Sequence, residues 1–281
     1  MILKALAALA VAGSLNLFSL ARGNPVLMQA RDLLTPLGAK ATDDQERWSP
    51  ALDYDTDSCY NVAAINANGD LNKGQDPAKG DAEILKYCRK EERLSKTNVY
   101  VRHRCSNGWC AYLYDYYFEA DRSGVAGGAG SHRHDWEHIV VWVQNNQAKY
   151  VQVSQHNRVA TRKVGDPAYL GWEQGTHAKI VYHRDGLRTH AFRFADKKDD
   201  PPENHWKSWR WGRGAGLIEW GQIPSNLRKK LSDADFGSAS MVVKDDPNGD
   251  SWNFRWWLDW ARDYCDDVGC YKIAPEYNPG I

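Results

Sequence analysis

Past residue 21 the chain has no apolar run approaching the roughly 20 consecutive residues that a bilayer-spanning helix needs. It has no excess of charge either, since 36 Lys and Arg balance 36 Asp and Glu. Phosphate-binding surfaces normally need a basic excess or a basic stripe, so nucleic acid is excluded as the main partner. No Cys-x-x-Cys pair occurs, which removes the tight ligand spacing of a structural zinc site. No Asn-x-Ser/Thr sequon occurs, so N-linked glycosylation is not expected. There is no internal repeat and no low-complexity tract. Phe is scarce, at 6 residues beside 13 Trp and 14 Tyr. Trp and Tyr join an apolar body to a polar handle and favour interfaces, sugar-binding surfaces and membrane boundaries. An aromatic-rich β core accounts for them equally well.

The amino terminus reads as a targeting segment. A basic start, Met1–Lys4, leads into the apolar stretch Ala5–Leu20, and Ser19 and Ala21 fit a small-x-small cleavage pattern. The expected product is a secreted, extracellular protein. Six cysteines suit that oxidising compartment: Cys59, Cys88, Cys105, Cys110, Cys265 and Cys270. Cys105 and Cys110 bracket a short loop, as do Cys265 and Cys270, leaving Cys59 and Cys88 to pair by elimination. Six cysteines nevertheless allow about fifteen connectivities.

Residues 22–46 show no clear period and contain Pro25, Pro36 and Gly38, so they read as a flexible leader or pro-segment. From residue 47 to 281 one globular domain is expected. Runs rich in β-branched and aromatic residues cover Thr97–Arg102, Trp109–Phe118, Glu137–Val143, Tyr150–Ser154, Ala178–Tyr182 and His190–Phe194. With little helix between them, they point to an antiparallel β-sandwich. Helical patterns at Ala82–Leu94, near residue 224 and near residue 251 are expected to flank it.

The chemistry concentrates in "GAGSHRHDWEHIVVWV", Gly128–Val143. Along a strand alternate residues share a face, so His134, Trp136, His138, Val140 and Trp142 fall on one side. Asp135, Glu137, Ile139, Val141 and Val143 fall on the other, which runs from acidic to apolar. Such a strand is buried in its middle and opens into a polar cavity at its start. Two carboxylates on one face repel unless a cation or an Arg lies between them. If the preceding strand pairs as a hairpin across the loop ending at His132, Asp121 arrives near Asp135. Hard oxygen ligands favour Ca²⁺ or Mg²⁺ over zinc. Two other readings stay open: turn-capping aspartates neutralised by Arg133, and a metal-dependent hydrolase using the same groups.

"SHRHDWE", Ser131–Glu137, closely resembles the Gly-His-Arg-His-Asp-Trp-Glu heptapeptide of the necrosis- and ethylene-inducing peptide-like (NLP) family of secreted microbial cytolysins. "AYLYDYYFEAD", "KIVYHRDGLRTHAFRFA", "GLIEWGQIPSNLRKKLSDADFGSA" and "PALDYDTDSCY" are similar to further family segments, so the resemblance covers roughly residues 48–260. It implies a mainly β sandwich with flanking helices, akin to actinoporins and fungal fruit-body lectins. It also implies a non-enzymatic activity: binding the glycosyl inositol phosphorylceramide head groups of plant plasma membranes, with leakage and necrosis. By the same resemblance Asp121 and Asp135 are direct ligands of a divalent cation, and His132 and Glu137 complete the site. Arg133, His134, Trp136, His183 and Asp185 line the cavity, and plant immune receptors are possible further partners of a monomer. Ser131 departs from the family glycine. If that position requires positive φ, a serine costs about 1 kcal/mol and shifts His132. The loop before it is longer than in well-known members, so a non-cytolytic lectin-like role is the alternative.

Overall fold

The computed structural model describes residues 33–125, 128–165, 170–245, 252–263, 265–266, 269–270 and 273–278, with backbone alone at 265–266 and 269–270. The expected signal peptide and the leader up to residue 32 lie outside the described residues. Residues 33–46, grouped above with the leader, pack on the sandwich. Leu37 is buried, Lys40 bridges to Ile218, and Thr42 caps the short helix α1 (Asp43–Arg47) through a capping box.

Strand β1 (Ala51–Tyr54) and helix α2 (Asp81–Cys88) precede a hairpin of β2 (Val99–Ser106) and β3 (Trp109–Phe118). Asn107 and Gly108 turn it with φ of 49° and 79°, the positive pair a two-residue hairpin loop requires. Next come β4 (Asp135–Gln144), β5 (Gln147–Gln155), β6 (Arg158–Lys163), β7 (Trp172–Glu173), β8 (His177–Arg184), β9 (His190–Phe194) and β10 (Leu217–Glu219). Helices α3 (Ser225–Ser232) and α4 (Phe254–Asp263) follow, and β11 (Cys265–Asp266) pairs with β12 (Gly269–Cys270).

One sheet has the order β10-β2-β3-β4-β5-β6; the other joins β1, β7 and β9 to β8. The sandwich is mainly antiparallel, but β10 joins β2 and β1 joins β8 in parallel. Both sheets are therefore mixed, a detail that short local strand patterns do not carry. Alternation along β3 and β4 divides the core in two. Tyr112, Tyr114, Tyr116, Phe118, Ile139 and Val141 pack between the sheets against Ile180, Tyr182 and Phe192. Leu113, Tyr117, Trp136, Val140 and Trp142 face the other way, under Leu227 and Leu231 of α3 and Trp257, Leu258 and Ala261 of α4. Among the described residues no helix is long and apolar enough to cross a membrane.

The Cys59–Cys88 and Cys105–Cys110 disulfides are formed. The side chains of Cys265 and Cys270 lie outside those described, although their backbones stand opposite one another in the β11–β12 pair.

Candidate metal and ligand centre

The β3–β4 ladder pairs Phe118 with Asp135, and the same register carries on to a bridge between Asp121 and His132. Both backbone hydrogen bonds of that bridge form, at 3.0 and 2.9 Å. Asp121 thus arrives beside the start of β4 across a loop that leaves and re-enters the sheet. Strand β5 pairs with β4 only from Ile139 and Val153 onward, so the first residues of β4 have one open edge. A cavity of about 380 Å³ forms there, walled by Asp121, His132, Asp135 and Glu137.

The three carboxylates are 1–5% exposed. Asp121 is held from two sides: its Oδ1 accepts from the backbone N–H (2.6 Å) and ring Nδ1 (2.8 Å) of His190, while His132 Nε2 lies 3.2 Å from its Oδ2. Asp135 Oδ2 accepts from the Tyr182 hydroxyl at 2.7 Å. Tyr182 is itself clamped, its ring stacked between Phe118 and His190. The Ser154 hydroxyl bonds to Glu137 and takes the His138 backbone N–H at 2.7 Å.

Burial by itself would raise the Asp121 carboxyl, but hydrogen bonds from His132 and His190 hold it at about 2. Burial opposes charge on His132 as well, yet its bond to Asp121 and the nearby Asp135 charge lift it to about 9. Asp135 goes the other way, pushed up to about 6 by burial and then by the Asp121 charge. Glu137 is driven well above the ordinary carboxylate value, first by burial and then by Asp135. The His132 imidazolium thus serves both Asp121 and Asp135, and burial still pushes Asp135 and Glu137 toward their neutral forms.

A divalent cation fits these groups. Single ligand atoms of Asp121, His132 and Asp135 lie within 4.8 Å of one another, and the donors are mainly carboxylate oxygens, which suit a hard cation. Glu137 stands on the same face of β4 as Asp135 but outside that tight group.

The remaining expected residues divide. Trp136 lines the cavity. Arg133 and His134 do not: His134 Nδ1 pairs with the Tyr117 hydroxyl at 2.6 Å, and Arg133 reaches back toward the Lys73 carbonyl. Burial and the Arg133 charge pull His134 down to about 4, so the ring that meets that hydroxyl is neutral. His183 and Asp185 also stand off the cavity. Asp185 touches lining residues, His156 at 3.2 Å through its carboxylate and Thr189 through its backbone N–H, and His183 sits half-buried on β8. The expected strain at Ser131 is absent. Its φ is not positive, and its hydroxyl takes the Ser123 N–H at 2.9 Å, tying the loop shut. Sequence reasoning missed His190, Tyr182 and Ser154. The first two lie in the segment "KIVYHRDGLRTHAFRFA", whose similarity to the family was the available signal; Ser154 had none.

The family model described as necrosis inducing protein (NPP1) matches residues 42–252. NLP effector protein 10 of Phytophthora capsici is 30% identical over 195 residues, 68% of this chain and 73% of that protein. Necrosis-inducing protein NPP1 of Phytophthora nicotianae is 29% identical over 201 residues, covering 68% and 73%. A structure described as a toxin fold for microbial attack and plant defense is similar at a TM-score of 0.59 and 26% identity, over 75% of this chain and 90% of that one. NLPPya in complex with glucosamine is similar at a TM-score of 0.58 and 25% identity, over 75% and 90%.

Proposed function

Because the chain belongs to the necrosis-inducing NPP1 family, we propose that it is a secreted, non-enzymatic effector that binds sphingolipid head groups and damages plant plasma membranes. The head group is a glycosyl inositol phosphorylceramide, and a divalent cation, Ca²⁺ or Mg²⁺, mediates its capture. Asp121 and Asp135 would hold that cation, with His132 and Glu137 completing the site around them. When bound, it supplies positive charge for the inositol phosphate and coordination for sugar hydroxyls. The chain's own contribution is orientation: His190 and Tyr182 fix the two aspartates, and Ser154 fixes Glu137.

The observation that supports this reading is a cavity with three buried carboxylates, two of them pushed toward their neutral forms by burial and by a neighbouring carboxylate. A neighbour in fold, NLPPya, is described with glucosamine, in keeping with a sugar-binding cavity. The test is electrolyte leakage from dicot leaf discs treated with wild type, with Asp135→Asn, and with wild type plus a chelator. Leakage from wild type alone is expected. Leakage that persists with folded Asp135→Asn and with the chelator would overturn the proposal. Release of more than one equivalent of product from a glycan or phosphodiester would instead favour a hydrolase.

A further inference from the structure

The carboxylates form only part of the cavity wall. Trp252, Trp257 and Trp260 line it too, and all three belong to the segment that carries α4. The family match ends at residue 252, so this helix lies beyond it.

Helix α4 has two aromatic-bearing faces. Phe254, Trp257, Leu258 and Ala261 are under 5% exposed and face the core. Asn253 caps the helix through Oδ1 to the Trp256 N–H, Gln152 Nε2 bonds the Ala261 carbonyl, and Trp257 meets His138 edge-on at 5.4 Å. Those contacts suffice to seat the helix on β4 and β5. At about 100° per residue, Trp256 and Trp260 point roughly 110–150° away from the centre of that face. With Trp252 they make a ladder at i, i+4 spacing: Trp252 meets Trp256 at 5.2 Å, and Trp256 stacks on Trp260 at 5.8 Å and 8°. Trp252 is 37% exposed. Trp256 and Trp260 are partly buried against the core, but Trp260, with Trp252 at the other end of the ladder, also lines the cavity.

Resting on the ligand reading above, we infer that Trp252 and Trp260 form a stacking wall for a pyranose ring of the head-group glycan. One face of a pyranose is a patch of C–H groups and its edges carry hydroxyls. Indole rings cover the first and buried carboxylates accept from the second, and both line this one cavity. At about 380 Å³ the cavity lies within the usual range of small-ligand sites. The wall selects for a sugar, while the carboxylate end takes the charge.

The test is calorimetric titration of the full folded chain with glucosamine in the presence of Ca²⁺. Wild type is compared with Trp260→Leu, the more exposed Trp252→Leu, the ring-keeping Trp260→Phe, and Trp206→Leu as a remote exposed control. Trp260→Leu should weaken binding about tenfold, Trp252→Leu and Trp260→Phe less, and Trp206→Leu not at all. Saturating glucosamine should also alter the tryptophan emission of wild type and lose that effect in the Trp252→Leu/Trp260→Leu double variant. Binding by wild type with equal affinity in Trp252→Leu and Trp260→Leu overturns the wall alone. A wild type that binds no glucosamine with cation present overturns the ligand reading, and the wall with it.

Discussion

Replacing Asp135 with Asn should make the cation-free protein more stable while removing its response to cations. In the cation-free fold the Asp135 carboxyl is raised from 3.8 to about 6 by burial and by Asp121. Below pH 3.8 the group is protonated folded and unfolded, and it carries no penalty. The penalty grows between 3.8 and 6 and is complete above 6, where ionising the buried carboxyl costs roughly 3 kcal/mol. His132 works in the opposite sense. Raised to about 9, it stabilises the fold fully below 6.5 and loses that contribution as pH climbs through 9. Part of its stabilisation comes from the Asp135 charge, so Asn forfeits some of the gain. The Asn carbonyl can still accept from the Tyr182 hydroxyl now at 2.7 Å from Asp135, so that buried donor keeps its acceptor. The net expectation at pH 7.5 is about 1–2 kcal/mol, or roughly 2–8 °C in Tm for a domain of this size. Thermal unfolding in chelator, then with millimolar Ca²⁺ or Mg²⁺, is the assay. Wild type should rise with cation and Asp135→Asn should stay level. A lower Tm for Asp135→Asn in chelator would refute the argument, because the carboxylate would then stabilise the fold without any cation.

Three further outcomes are expected. The cation-induced rise in wild-type Tm should shrink as pH falls through about 6, since the cation must displace the Asp135 proton; an undiminished rise at pH 5 would place the cation elsewhere. Gly74 has φ of +60°, and a Cβ there would meet the Arg133 carbonyl and His134 Cε1 at 2.8 Å. Gly74→Ala should therefore cost about 1–3 kcal/mol by thermal unfolding and weaken cation binding by displacing the segment beside His132. Removing Cys59–Cys88, which closes 29 residues, should cost about 3 kcal/mol in urea unfolding. Removing Cys105–Cys110, which closes 5, should cost less.

What the sequence revealed about this site depended on how far each contact reaches along the chain. Alternation along β4 separates Asp135 and Glu137 from Trp136 and His138, and the packing follows it: Ile139 and Val141 lie between the sheets, Val140 and Trp142 beneath the helices. The return of Asp121 to His132 needs only a hairpin, a local event. Partners from distant strands have no such local signature. His190 and Tyr182 come to the aspartates because β8 and β9 form the facing sheet, and neither residue's neighbours in sequence announce that. The parallel pairings of β1 with β8 and of β10 with β2 are invisible for the same reason. Family segments, more than composition, marked the stretch that holds His190.

The second face of β4 shows why so much ionisable chemistry can stand at the start of a buried strand. Directly behind Glu137, the fully buried Asp115 pairs with His138 and accepts the Val242 and Val243 N–H groups at 2.8 and 2.9 Å. That carboxylate is supplied with an imidazole partner and two backbone donors, as a structural buried acid must be. Asp135 and Glu137, on the opposite face of the same strand, are not: each gains one hydroxyl donor and is pushed toward its neutral form. The fold can evidently satisfy an acid at this depth. Two of them stand at the cavity with one hydroxyl donor each, the arrangement that the proposed cation would complete.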